Sequence, residues 1–195
     1  MLLWLAFELE ETMSTTNNNE NVSLVSKELE TAINKQIGHE FQAKLQYLNI
    51  AAYFDAGDLP QLSNFFYQQA QDEDMHAMKF LHYLVDASGT VEIPATEKPE
   101  FTFDSAETAV HLALQNEMRV TGQINALMDM AIEQKDHIAQ DFLRWFVTEQ
   151  LEEVSTMKTL LNVTRRASDN LLWVEDYLAR NPLGLAAEQQ AGTAV

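Results

Sequence analysis

The sequence predicts an all-α protein: a four-helix bundle with one long crossover, followed by a short fifth helix near the C-terminus. Three observations carry this. Apolar residues recur three or four positions apart through four long segments, which is the pattern of one helix face. No segment alternates as a strand would, and no unit repeats. The connections are unequal: a few residues, then 17 over positions 88–104, then a few again.

The first helix is expected from about Ser26 to Phe54, with Leu29, Ile33, Ile37, Phe41, Leu45 and Leu48 at helical spacing. Asp55-Ala-Gly57-Asp58 ends it. Asp58 reads as the N-cap of a second helix, with Pro60 in the first turn where a missing N–H is harmless. That helix runs to about Ala87 and stops at Ser88-Gly89. Pro94 and Pro99 interrupt the long connection. Asp104 with Glu107 resembles a capping box for a third helix to about Gln134. Asp136 caps a fourth, to about Arg166, and Asp169 a shorter fifth that Pro182 ends. Short joins force antiparallel neighbours. The 17-residue connection reaches about 55 Å when extended, enough to return along the second helix, itself about 40 Å long. The second and third helices should therefore run parallel.

The chain has 195 residues and a formal charge of −18, with 12 Lys+Arg against 30 Asp+Glu. This length suits one domain over 23–181, with residues 1–22 and 182–195 expected as flexible extensions. A pI near 4.4 argues against nucleic acid or an anionic membrane as partner. The run Met1 to Phe7 is too short to span a bilayer and lacks the basic residues of a leader, so a cytoplasmic location is expected. The absence of cysteine removes thiolate nucleophiles, iron–sulfur clusters and cysteine zinc sites together.

Reading each helix by sevens exposes a shared irregularity. The stripes run Ile33, Glu40, Tyr47, Phe54; then Phe66, Glu73, Phe80, beside Leu62, Gln69, His76, Tyr83; then Val110, Glu117, Ile124, Ala131; then Phe146, Glu153, Leu160, beside Leu143, Gln150, Met157. Each long helix places a glutamate near the middle of its apolar stripe. A buried carboxylate takes a proton or finds a partner. Basic residues are scarce in these stripes, Lys44 being the nearest to Glu40 on its helix. Two divalent ions would match four glutamates in charge, and His76 would add a neutral nitrogen. Oxygen-rich ligation with one imidazole favours iron or manganese over structural zinc. Each residue alone has a plainer reading: Glu40 or Glu117 as a helix-face acid, His76 as a satisfied core histidine, Tyr47 as packing. The conjunction across four helices is what points to metal.

These stretches, IGHEFQAKLQY (37–47), QAQDEDMHAM (69–78), LQNEMRVTGQINAL (114–127) and FLRWFVTEQLEEV (142–154), resemble the non-haem bacterial ferritins over roughly Leu29 to Arg180. The resemblance implies a ferritin-like four-helix bundle with a ferroxidase centre, in a shell of 24 subunits that stores ferric mineral. By position, it implies that Glu40 and His76 hold a first iron and Glu73 bridges. Glu117 and Glu153 would hold the second, with Gln150 beside them, and Tyr47 would stand next to the centre as an electron donor. Asp72, Glu149 and Glu152 would form a third iron site, shared with Glu153. Two departures separate the chain from bacterioferritins: Gln150-x-x-Glu153 replaces their second Glu-x-x-His, and Asp74 stands where their haem-ligating methionine follows the bridging glutamate. No haem is therefore expected. Asp72 is shorter than the glutamate many relatives carry. The missing cysteines exclude a rubrerythrin.

The leading expectation is an iron-storage ferritin that oxidises Fe(II) with dioxygen or hydrogen peroxide. A di-iron or di-manganese oxidase or oxygenase acting on an organic substrate would share the ligand set. A metal-free helical assembly protein would need the four acids to be neutral or exposed.

Overall fold

The computed structural model describes residues 23–168 and 170–184, and they form five helices and no strand. The extension over 1–22 lies outside these residues, as do Asp169 and positions 185–195 of the tail. The helices are α1 (Lys27–Ala56), α2 (Pro60–Asp86), α3 (Ala106–Glu133), α4 (His137–Ala167) and α5 (Leu172–Arg180).

Side-chain pairs fix the directions. Lys44 meets Asp74 and Phe54 stacks on Phe66, so α1 and α2 are antiparallel. Gln36 faces Gln123 while Tyr47 reaches Glu117 and the Ala113 carbonyl, so α1 and α3 are antiparallel too. Helices α2 and α3 are therefore parallel, as the long crossover requires. Arg165 on α4 pairs with Glu107 on α3 at 2.7 Å, and Phe80 on α2 stacks on Phe146 of α4 at 4.1 Å, closing the bundle.

The crossover is held to α1 by side-chain amides that imitate a strand partner. Asn34 donates to the Thr90 carbonyl and accepts from the Glu92 N–H. Gln46 does the same, twice over, with Glu100, at 2.9 Å each way. Between them the chain crosses Gly38 so closely that a Cβ there would lie 2.3 Å from Pro94 Cγ. Gly38→Ala should lift this segment and destabilise the fold by about 1–3 kcal/mol, read as a lower denaturation midpoint.

Two of the capping expectations need amendment. Asp58 is not an N-cap; its φ of 57° puts it in the left-handed turn that ends α1, a conformation short polar side chains tolerate. Leu59 precedes α2 and offers no side-chain cap. The cap comes from Glu175 on α5, whose carboxylate accepts from the Gln61 and Leu62 N–H groups at 2.8 and 2.9 Å. An anion there also meets the positive end of the helix dipole. Glu175→Ala should cost about 1–2 kcal/mol of stability in chemical denaturation; an unaltered midpoint would contradict the role. Helix α3 is capped by Ser105, which accepts from the Thr108 N–H, one residue beyond Asp104. Helix α5 begins after Leu171, with no side-chain cap. Ser26 and Asp136 cap α1 and α4 as expected.

Burial divides the core in two. One apolar cluster joins Tyr47, Phe54, Phe66, Val110 and Leu160 with Val174 and Leu178 of α5. The other joins Leu29, Ile33, Phe80, Ile124, Leu143 and Phe146. The layer between them is polar.

Candidate metal centre

That middle layer is built by the four mid-stripe acids. Glu40 and Glu117 are fully buried, and Glu73, Glu153, His76, Gln69 and Gln150 nearly so. Ligand atoms of Glu40, Glu73 and His76 lie within 4.8 Å of one another, and so do those of His76, Glu149 and Glu153. The imidazole belongs to both groups. His76 Nδ1 is 3.3 Å from Glu73 Oε2, and its ring is enclosed edge-on by Trp145 and Phe146, at 5.5 and 5.8 Å between centroids.

The electrostatics are those of acids crowded together in a dry layer. Burial pushes Glu40 up to about 7, against a hydrogen bond from Gln36 that lowers it and the Glu117 charge that raises it further. Burial also lifts Glu73 and Glu153 well above the carboxylate range. The charges of Glu117, Glu40 and Glu153 add to this at Glu73, and those of Glu117, Asp72 and Glu149 at Glu153. Glu117 is raised by burial and partly relieved by hydrogen bonds from Tyr47 and Gln150. Burial and nearby Lys79 depress His76 to about 4, so its contact with Glu73 is a neutral hydrogen bond near pH 7 rather than an ion pair.

Four buried polar atoms around this layer have no hydrogen-bond partner: Glu40 Oε2, Glu117 Oε2, His76 Nε2 and Gln69 Oε1. Unsatisfied buried groups of this kind are costly and rare unless a ligand completes them. They come from three helices, and their chemistry of carboxylate oxygens with one imidazole suits iron or manganese. The scarcity of bases holds in space as well as along the chain. Lys44 is engaged at the surface by Asp74, 2.7 Å away, and does not neutralise Glu40.

The remaining predicted residues fall into place unequally. Tyr47 is fully buried, and its hydroxyl donates to Glu117 Oε1. Asp72 is buried and accepts from Gln69 Nε2 at 3.3 Å, while half-buried Glu149 joins His76 and Glu153. Glu152 lies on the exposed side of α4 and enters neither group. Gln150 Oε1 faces the Thr121 hydroxyl at 2.8 Å and its amide supports Glu117, so in this arrangement it is a donor. Sequence reading missed two residues, Gln36 and Thr121. Each sits one helical turn from a mid-stripe acid, and that spacing was their only signal.

A cavity of about 580 Å³ opens elsewhere, between α1, α3 and the crossover, lined by Lys35, His39, Gln42 and Arg119. The four mid-stripe acids do not line it.

A bundle whose core is interrupted by glutamates from all four helices and a histidine defines the class of carboxylate bundle proteins that hold metals between facing helices. Comparison with known proteins narrows the class. The Ferritin-like domain profile matches residues 30–167. Ferritin BfrB of Mycolicibacterium smegmatis is 40% identical over 171 residues, covering 88% of this chain and 94% of that protein. The bacterial non-heme ferritin of Staphylococcus aureus is 35% identical over 147 residues, covering 75% and 89%. Among solved structures, the open pore ferritin of Archaeoglobus fulgidus superposes with a TM-score of 0.77 at 33% identity, covering 80% of this chain and 98% of that one. The chain belongs to the ferritin family, whose role is iron storage.

Proposed function

We propose that this protein is a ferroxidase ferritin: it binds two Fe(II) per subunit in the polar layer, oxidises them with dioxygen or hydrogen peroxide, and passes Fe(III) to a mineral inside a cytoplasmic 24-subunit shell. The observation that carries the reading is the set of unpartnered buried ligand atoms in a layer that holds four glutamates and, among the described residues, no buried Lys or Arg.

The residues divide the work. Glu40 and His76 hold the first iron, Glu73 lies between the two positions, and Glu117 and Glu153 hold the second. Gln36 steadies Glu40 through a 3.0 Å hydrogen bond to Oε1, leaving Oε2 for metal. Tyr47 donates to Glu117 and is the nearest oxidisable side chain on α1. Asp72 and Glu149 flank Glu153 and form the nucleus of a third iron position; Glu152 would join it only by swinging inward. Iron is the substrate and carries the redox change, while the protein supplies placement and charge.

Anaerobic Fe(II) titration of the metal-free protein should saturate near two tight sites per chain, and native mass should correspond to a 24-mer. Absence of tight Fe(II) binding would refute the reading. A monomer or dimer that binds iron would instead favour an oxidase or oxygenase.

A further inference from the structure

Thr121 stands one turn beyond Glu117 on α3, half-buried at the edge of the polar layer. Its Oγ1 is 2.8 Å from Gln150 Oε1 and 2.8 Å from the Glu117 backbone carbonyl. Both partners are acceptors, and a hydroxyl carries one proton. The two contacts compete for that single proton, and equal distances favour neither.

Two arrangements satisfy the group. In the first, Thr121 donates to Gln150 Oε1, and the Gln150 amide nitrogen turns to the Glu117 carboxylate, which it stabilises. In the second, Thr121 donates to the Glu117 carbonyl, the bond threonine commonly makes to the residue four before it in a helix. Its lone pair then faces Gln150, whose amide must rotate by half a turn to present Nε2. That rotation aims Oε1 at the Glu117 carboxylate, where only a cation between them makes the approach favourable. Hydroxyl and amide must therefore turn together, and the charge beside Glu117 selects the arrangement.

We propose that Thr121 is a positioning residue, a pivot that lets Gln150 donate to Glu117 when the centre is empty and present a neutral oxygen to the second iron when it is filled. The inference rests on the iron reading above. It explains why an amide, rather than a fifth acid, occupies position 150: it adds a donor without a charge, so two Fe(II) remain matched by four glutamates.

The test is anaerobic Fe(II) titration of the assembled protein, resolving the two sites, for four forms beside wild type: Thr121→Val, Thr121→Ser, Gln150→Leu and the double variant Thr121→Val/Gln150→Leu. Thr121→Val should weaken the second iron about tenfold and leave the first within about twofold, since one buried hydrogen bond is at stake. Thr121→Ser, which keeps the hydroxyl, should stay within about twofold of wild type at both. In the Gln150→Leu background the valine change should add no further loss, because both act through one element. Wild-type-like affinity in Thr121→Val overturns the pivot alone, as does an undiminished valine effect in the absence of Gln150. Failure of wild type to bind Fe(II) overturns the iron reading, and the pivot with it.

Discussion

Glu73→Gln should lower the rate of Fe(II) oxidation by on the order of 100-fold or more while leaving the metal-free protein more stable above neutral pH. The two effects have one cause. Glu73 is the acid that the charges of Glu117, Glu40 and Glu153 all oppose, in a layer where burial already disfavours its ionised form. An amide of the same shape removes that opposition without opening a cavity, so the empty bundle gains. The same amide cannot supply the anionic oxygens that two cations share, so binding and oxidation fail together. Stopped-flow oxidation kinetics and thermal unfolding at pH 8 would give the two readouts. Oxidation at the wild-type rate would dissociate Glu73 from the iron chemistry. A metal-free protein destabilised by the change would mean that Glu73 forms a structural hydrogen bond rather than an unmet charge.

That pairing of stability loss with function explains what could be read from the sequence. Glu40, Glu73, Glu117 and Glu153 are visible because an acid breaks an apolar stripe, and the physical penalty for burying it makes the break informative. His76 is visible only through its place three residues after Glu73. Gln36 and Thr121 break no stripe. They are common helix-flank residues whose importance comes from what they face across the bundle, Gln123 in one case and Gln150 in the other. Glu152 illustrates the converse: it neighbours Glu153 in sequence, and a helical step of about 100° carries it out to the exposed flank.

The fold was legible in a similar, partial way. Helix bodies and the direction of the crossover followed from spacing and length, which are properties of the segment itself. The α2 cap did not, because the carboxylate that makes it lies 113 residues from Leu62, on another helix. Asp58 was misassigned for a related reason. An aspartate between helices can cap the next one or turn out of the last, and the choice depends on whether a better cap is already present. Glu175 is that cap.

The metal-free protein should lose stability as pH rises from about 5.5 to 8, and a redox-inert divalent ion such as Mn(II) should restore it. Glu40 ionises near 4.5 in the unfolded chain and at about 7 in the fold. Between these values the native state holds a proton that the unfolded state has released, so rising pH favours unfolding. This group's contribution is complete below 4.5 and lost as pH passes through 7, worth about 3 kcal/mol across the window. Glu73, Glu117 and Glu153 are raised as well and act in the same direction. His76 acts oppositely: depressed from 6.5 to about 4, it contributes above 6.5 and loses that contribution as pH falls towards 4. The two trends together place the optimum of the empty protein on the acid side of neutrality. About 2 kcal/mol of the Glu40 contribution falls between pH 5.5 and 8, roughly 4–8 °C in Tm for a subunit of this size, and the His76 gain below pH 6.5 offsets part of it, so Glu73, Glu117 and Glu153 must supply the rest of the decline. Bound Mn(II) replaces the protons, so its stabilisation should grow with pH and cancel the decline. Calorimetry at fixed protein concentration, with and without Mn(II), measures both slopes. A Tm independent of pH between 5.5 and 8 in the metal-free protein would mean that the four acids are hydrated rather than held in a dry layer. A decline that Mn(II) leaves untouched would mean that the layer is dry and holds no metal.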